Sequence, residues 1–161
     1  MDGTYFLYTD GASRRGSPGP AGIGAVLYRG DPGDNNHVDY LARSIGRATN
    51  NEAEYRAVVE GLRMAKPHGP RRLVLRSDSN LVINQLTGQA RVKAPNLKRS
   101  HREAKKLIES FPEIEVEDIP RNCNRVADRL ANLALDLFLP PPGFPVAKPV
   151  LGDLKIVSIL L

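Results

Sequence analysis

The stretch from Thr4 to Gly11, TYFLYTDG, decides the fold. Its first six residues are aromatic, aliphatic or β-branched and carry no charge, which is typical of a short strand buried on both faces at the centre of a sheet. Asp10-Gly11 then breaks the pattern. We therefore predict a central strand over Thr4–Thr9, with an acidic residue directly after it.

Two further strands are predicted beside the first. A Gly/Pro-rich loop leads to the apolar run Ile23–Tyr28, and a turn over Gly30–Asn36 leads to a third run at Val38–Ile45. Such short connections favour neighbouring antiparallel strands. The first 45 residues therefore predict an antiparallel meander.

The rest of the chain alternates helical and strand patterns. The segments are a helix over Asn51–Lys66, a strand at Leu73–Leu75, a helix over Asn80–Leu86, a helix opening at Pro95, a strand around Ile114 and Val116, and a helix over Arg125–Phe138. The order βββαβααβα predicts an α/β fold in which helices pack on a mixed five-stranded sheet. Strands that are separated by helices should run parallel.

Composition predicts one folded domain followed by a different segment. The chain has 161 residues, of which 41% are hydrophobic and 25% charged, and this suits a single globular domain over residues 1–139. Residues 140–149 contain five prolines, and Leu154–Leu161 is strongly apolar. We expect the tail 140–161 to dock on the domain, and a tail that binds a protein partner is the alternative.

Charge and cysteine content narrow the class of protein. The net charge of +5 is compatible with a polyanionic partner, and no apolar run is long enough to span a membrane. A single cysteine, Cys123, excludes an internal disulfide framework and suggests a reducing cytoplasm. No oligomerisation signal is present, so we expect a monomer.

Four acidic residues occur where sites are built in α/β folds. Asp10 and Asp78 follow predicted strands, and Asp128 lies in the first turn of the last helix. Glu54 lies on the core-facing stripe of its helix, where a carboxylate is unfavourable without compensation. Each has an ordinary alternative. Asp10 and Asp78 could be turn or cap residues, Asp128 could interact favourably with the helix dipole, and Glu54 could form a capping box with Asn51. If all four converged, divalent cations would be needed to relieve their repulsion.

The ligand types predict which metal would bind there. Carboxylate oxygens suit Mg²⁺ or Mn²⁺, whereas no Cys/His spacing for zinc is present. Two such ions would activate a water on one side of a phosphodiester and stabilise the leaving oxygen on the other.

The acids lie within longer strings that occur in a definite order. These strings are Tyr8–Ser13, Ser17–Gly24, Thr49–Tyr55, Ser77–Asn80 and Ala127–Ala131. Over residues 1–139 they resemble the type 1 ribonuclease H family. The resemblance implies a ribonuclease-H-like fold and an endonuclease that hydrolyses the RNA strand of an RNA–DNA hybrid, giving 5′-phosphate and 3′-hydroxyl ends.

The resemblance also implies roles for particular residues. Asp10, Glu54, Asp78 and Asp128 would be catalytic and hold two Mg²⁺ ions, for which Mn²⁺ could substitute. The expected substrate contacts, which would recognise 2′-hydroxyls in the minor groove, are Gly11, Ser13, Gly16, Ser17, Asn50, Asn51 and Asn80.

The chain departs from the family pattern in three places. The loop before Asp128 lacks the histidine of many relatives, and Arg121 is the best stand-in, as a cation that cannot shuttle protons. The glycine loop has an extra residue at Arg14-Arg15. A tryptophan-bearing basic protrusion is missing. In its place, basic residues gather on or before one helix, which we expect either to meet the DNA backbone or to be merely solvated: Lys93, Lys98, Arg99, Arg102, Lys105 and Lys106.

Three other readings stay open at this point. One is a different nuclease of the same fold, such as a domain from a reverse transcriptase or an enzyme that also cuts double-stranded RNA. Another is a binding module without activity, although retention of all four acids argues against it. A purely structural domain is the third, and nothing in the sequence favours it.

Overall fold

The computed structural model describes residues 3–33 and 35–138. Its strands and helices, in chain order, are β1 (Thr4–Ser13), β2 (Gly19–Arg29), β3 (His37–Ala48), α1 (Asn50–Ala65), β4 (Arg72–Ser77), α2 (Asn80–Leu86), α3 (Pro95–Glu109), β5 (Ile114–Asp118) and α4 (Arg125–Phe138). The predicted order βββαβααβα is confirmed.

One sheet contains all five strands, in the order β3-β2-β1-β4-β5. The pairs β1–β2 and β2–β3 are antiparallel, whereas β1–β4 and β4–β5 are parallel. The predicted meander and the predicted parallel crossovers are therefore both confirmed, and β1 lies at the centre of the sheet.

Successive residues of β1 and β2 serve two different cores, because side chains alternate between the faces of a strand. Leu7 and Leu27 lie in the main core with Val58 and Leu62 of α1. Their strand neighbours on the opposite face, including Val26, pack around Leu130 of α4 in a smaller cluster. The helix α1 thus covers one face of the sheet, with α3 packed against α1, and α4 covers the other face.

The first two strands are longer than predicted. The strand β1 does not end at Thr9 but continues to Ser13, and β2 begins at Gly19 rather than Ile23. Asp10 pairs with Gly24 inside the ladder, so this acid lies within a strand and not after it. The added residues are mostly small, so backbone pairing rather than an apolar side-chain pattern extends the strands.

The last helix buries Leu135 fully, whereas Leu137 is 38% exposed. The predicted tail at 140–161 lies outside the described residues, and its docking stays a prediction. No helix within residues 3–33 and 35–138 has the length and apolar character needed to cross a bilayer.

Glycines allow the two flanking helices to approach the sheet closely. A Cβ on Gly24 of β2 would lie 2.3 Å from the carbonyl oxygen of Ala127 in α4, and one on Gly11 of β1 would lie 2.4 Å from the amide nitrogen of Glu54 in α1. Both contacts are with backbone, which no rotamer change can relieve. Because Asp128 follows Ala127, the two glycines set the depth at which α1 and α4 carry their acids to the sheet.

We expect Gly24→Ala to destabilise the protein by about 1–3 kcal/mol, since the added methyl must displace the backbone of α4. Thermal unfolding should record a loss of roughly 2–4 °C per kcal/mol. Gly33→Ala is the matched control, because its Cβ would meet no atom nearer than 3.4 Å. Equal melting temperatures for the two variants would contradict the close-approach argument.

Candidate active site

A polar cleft of about 480 Å³ opens at the carboxyl ends of β1 and β4. It lies between the first turns of α1 and α4, and its walls include all four acids predicted from the sequence. The lining residues are Asp10, Gly11, Ala12, Ser13, Arg14, Asn50, Asn51, Glu54, Asp78, Ser79, Arg121, Asp128 and Asn132.

Three of the acids form a compact cluster. One carboxylate oxygen from each of Asp10, Glu54 and Asp78 lies within 4.8 Å of the other two. Asp10 is 6% exposed, and the other two side chains are partly buried. Asp128 lines the same cleft, and its charge acts on both Asp10 and Asp78. Two strands and two helices therefore bring four carboxyl groups to one place.

Burial and mutual repulsion disfavour ionisation of this cluster. Burial raises the pKa of Glu54 far above its usual range, and the negative charges of Asp10 and Asp78 raise it further. Burial also raises the pKa of Asp10 from 3.8 to about 7, opposed by a hydrogen bond with Glu54 and reinforced by the charge of Asp78. The protein alone therefore holds protons on carboxyl groups that would ordinarily be ionised at neutral pH.

Asn124 is buried behind the cleft, in contact with Asp78, and sequence reasoning assigned it no role. It is 1% exposed, and its side-chain amide donates to the Thr9 carbonyl at 2.9 Å and to Asp78 Oδ2 at 3.4 Å. Burial raises the pKa of Asp78, while Asn124 and the positive charge of Arg121 oppose that rise. An Asn immediately before a helix is a cap signal, but its contact with Asp78 depends on the tertiary fold.

The capping-box alternative for Glu54 is wrong. The residue that caps α1 is Thr49, whose hydroxyl accepts from the Glu52 amide while the Glu52 carboxylate accepts from the Thr49 amide. Glu54 lies two residues further along the helix. Its buried Oε2 has no hydrogen-bond partner, so local helix structure does not explain why a carboxylate is there.

Residues predicted to contact substrate surround one loop beside the acids. The Ser13 amide donates to Asn50 Oδ1 at 3.0 Å, and the Asn50 amide donates to Ser17 Oγ at 3.0 Å. Ser13 Oγ lies 2.7 Å from the Gly16 carbonyl. These contacts brace the loop between β1 and β2 against the start of α1.

The predicted substrate residues do not all reach the cleft. The cleft lining includes Gly11, Ser13, Asn50 and Asn51. It does not include Gly16, Ser17 or Asn80, which are exposed, and Ser17 accepts the hydrogen bond from the Asn50 amide. Their roles toward substrate stay predictions.

Arg121 lines the cleft on the side of Asp78. It is exposed, in the short helical turn before α4, and no ion pair within residues 3–33 and 35–138 includes it. Its positive charge opposes the rise that burial causes in the pKa of Asp78. Its catalytic role likewise stays a prediction.

The donor set fits divalent cations. The cluster supplies carboxylate oxygens only, which are the preferred ligands of Mg²⁺, Mn²⁺ and Ca²⁺. The orphaned Oε2 of Glu54 and the raised pKa values of Glu54 and Asp10 are both relieved when a cation replaces the proton. Asp10, Glu54 and Asp78, with Asp128 beside them, are therefore suited to hold metal ions.

The chain matches known sequences over most of its length. The family model described as "Reverse transcriptase-like" matches residues 8–134. The ribonuclease HI of Halobacterium salinarum is 45% identical over 134 residues, which are 83% of this chain and 65% of the relative. The bifunctional protein Rv2228c of Mycobacterium tuberculosis is 45% identical over 81% of this chain, which spans only 35% of that protein.

Solved structures of these two relatives and of a third protein share the fold. The H. salinarum RNase H1 superposes with a TM-score of 0.77 at 44% identity, covering 83% of this chain and 98% of that one. The N-terminal RNase H domain of Rv2228c gives 0.78 at 41% identity, covering 83% and 94%. LC11-RNase H1 from a compost metagenome, solved in complex with an RNA/DNA hybrid, gives 0.74 at 34% identity, covering 82% and 96%.

The acid cluster should make the metal-free protein less stable as the pH rises. The folded-state pKa of Asp10, about 7, lies above its ordinary value of 3.8. Its contribution to stability is therefore full below about pH 3.8 and is lost as the pH rises through about 7. In EDTA at pH 8 we expect Asp10→Asn to raise Tm, by roughly 2–4 °C for each kcal/mol of repulsion removed.

The matched control is Asp31→Asn, which changes an exposed turn residue in the same way. Saturating Mg²⁺ should raise Tm of the unaltered protein more than Tm of Asp10→Asn. A lower Tm for Asp10→Asn in EDTA at pH 8 would show that the cluster is not a source of strain.

Proposed function

The chain belongs to the type 1 ribonuclease H family, and from that premise we propose that it is an endonuclease that hydrolyses the RNA strand of an RNA–DNA hybrid. The reaction would use two divalent cations, Mg²⁺ or Mn²⁺, and leave 5′-phosphate and 3′-hydroxyl ends. The hybrid in the LC11-RNase H1 complex supports the choice of substrate by similarity.

One observation carries the proposal. Asp10, Glu54 and Asp78 bring carboxylate oxygens within 4.8 Å of one another at an open cleft, although burial and repulsion oppose their ionisation. A binding module or a structural domain has no use for an arrangement that destabilises the folded protein, whereas a metal-dependent hydrolase requires it.

The chemistry divides between the cations and the side chains. When bound, the cations would supply a nucleophilic water and stabilise charge on the leaving oxygen. The four acids hold and orient them, while Asn124 aims Asp78. Arg121, at the rim, is a permanent cation that can contact a phosphate of the substrate but cannot act as a general acid.

We propose that the loop between β1 and β2 and the residues beside it recognise the RNA strand. Ser13, where β1 meets this loop, and the neighbouring Asn50 and Asn51 line the cleft and offer hydroxyl, amide and backbone groups beside the acids. Such groups can distinguish a ribose from a deoxyribose by hydrogen bonding to the 2′-hydroxyl.

A second surface supports binding of a polyanion. A groove of about 560 Å³ lies between the end of α2 and the face of α3. We call it the basic groove. Its cations are Arg91, Lys98, Arg102 and Lys105, and no ion pair within the described ranges includes any of them.

The spacing of residues on α3 explains this surface. Lys98, Arg102 and Lys105 are separated by four and three residues and therefore share one helix face. Gln85 at the groove hydrogen-bonds Tyr55, the residue after Glu54 in α1. Through this contact the groove lies beside the helix that carries Glu54, and we infer that a duplex held at the cleft extends to it. We propose that the basic groove binds the backbone of the uncut DNA strand.

The monomeric state, the cytoplasmic location and a protein partner for segment 140–161 also stay proposals. They rest on composition and sequence pattern alone.

Cleavage of defined substrates tests the function. With Mg²⁺ we expect internal cuts in the RNA strand of a labelled hybrid, none in single-stranded RNA or duplex DNA, and no cleavage in EDTA. Asp10→Asn should lower the rate at least about a hundredfold, because it removes charge that holds the cations. Asp31→Asn should cut normally. Undiminished cleavage by Asp10→Asn would overturn the assignment of the cluster, and equal cleavage of double-stranded RNA would broaden the substrate class.

Charge reversal tests the basic groove. Arg102→Glu should raise KM for the hybrid about tenfold or more while leaving kcat near its original value, because the contact holds substrate away from the reacting bond. It should also reduce the slope of log Kd against log salt concentration by about one, which corresponds to the loss of one phosphate contact. Lys106→Glu is the matched control on the same helix, outside the groove lining. Equal effects of the two reversals would mean that only net charge matters.

A further inference from the structure

Arg14 connects the loop after β1 to helix α4. One guanidinium nitrogen lies 2.5 Å from Asp136 Oδ1, and the other lies 3.2 Å from the Asn132 carbonyl and 3.1 Å from Asn132 Oδ1. The Arg14 amide also donates to the Pro20 carbonyl at 2.8 Å. The planar fork of an arginine can make all three side-chain contacts at once, which a lysine cannot do.

Asn132 carries the connection to the acids. Its Nδ2 donates to the Asp128 carbonyl at 2.9 Å and to Asp128 Oδ1 at 3.3 Å. A guanidinium only donates, so the oxygen of the Asn132 amide must face Arg14 and its NH₂ must face Asp128. If the amide were flipped, its NH₂ would face the N–H groups of Arg14 and its oxygen would face the oxygens of Asp128, and both pairings are repulsive. Arg14 thereby determines which end of Asn132 meets the carboxylate.

The amide in turn orients Asp128. Asp128 lies in the first turn of α4 and is partly buried in the cleft. Because Asn132 holds Oδ1, the orientation of the Asp128 carboxylate is restricted. Mutating a residue that hydrogen-bonds a metal-binding side chain typically lowers metal affinity about 10–100-fold.

We propose that Arg14 and Asn132 are positioning residues that aim Asp128 at the metal ions, and that Arg14 also ties this aim to the loop that meets the substrate. The inference rests on the proposed function and deepens it. Ser13, just before this loop, and Ser17 within it hydrogen-bond Asn50 at the start of α1. One arginine thus connects the substrate loop, α4 and a metal ligand.

The first test measures metal affinity without substrate, by titrating Mn²⁺ into the full chain and following its electron paramagnetic resonance signal. Arg14→Met and Asn132→Leu should each weaken Mn²⁺ binding by about tenfold. The double variant should lose no more than the larger single effect, because the two residues act in series. Arg72→Met is the matched control, since it removes an arginine that pairs with Glu115 at the far edge of the sheet.

The second test separates the two residues by kinetics. Asn132→Leu should raise the Mg²⁺ concentration for half-maximal cleavage and leave KM for the hybrid unchanged, with activity restored by excess Mg²⁺. Arg14→Met should raise both, because it also releases the loop. Arg14→Lys should not restore Mn²⁺ affinity, since a single ammonium cannot reproduce the fork.

The outcomes are distinct. Unchanged Mn²⁺ affinity in both Arg14→Met and Asn132→Leu would overturn the positioning role of the two residues. An equal loss of Mn²⁺ affinity in Arg72→Met would overturn it too. If Arg14→Met does not fold by circular dichroism, the Asn132→Leu titration still decides. If the unaltered protein cleaves no hybrid but the variants still lose Mn²⁺ affinity, the positioning role holds and the proposed function is refuted.

Discussion

The repulsion among carboxyl groups held in one partly buried cleft is the constraint on which the rest of the structure depends. Asp10, Glu54 and Asp78 lie close enough together to ligate one metal ion, and burial raises the pKa of each. Without a cation these groups keep protons or repel one another, so the folded protein is less stable than its core alone would allow. Relief of the same unfavourable interaction would contribute to the binding free energy of divalent cations.

Holding such a cluster together requires rigid neighbours. Close approach of α1 at Gly11 and of α4 at Gly24 sets the backbones that carry Glu54 and Asp128. Amide side chains then orient individual carboxylates: Asn124 contacts Asp78, and Asn132 contacts Asp128. Neutral amides suit this duty because they donate hydrogen bonds without adding a cation that would compete with the metals. The cleft is thus built from small residues beneath it and amides around it.

Sequence patterns predicted the order of elements and the strand directions because those depend on local periodicity and on short connections. They were less accurate at the ends of β1 and β2, where small residues pair through backbone without an apolar pattern. Glu54 was identified by its inward position, yet its capping alternative was resolved only once Thr49 proved to cap α1. The departures at Arg14-Arg15 and in the basic helix were visible in the sequence, but their contacts were not.

By itself the sequence determined the α/β architecture, which follows from residue type and spacing along the chain. It also singled out the four acids by their positions, and the family by the resemblance of its ordered motifs. Only the tertiary structure decided that Asn124 meets Thr9 across 115 positions and that Arg14 meets Asn132 across 118. Contacts so distant in sequence depend on how α4 packs against the sheet, which no local pattern encodes. The acids could therefore be found by reading the chain, whereas the groups that aim them required the fold.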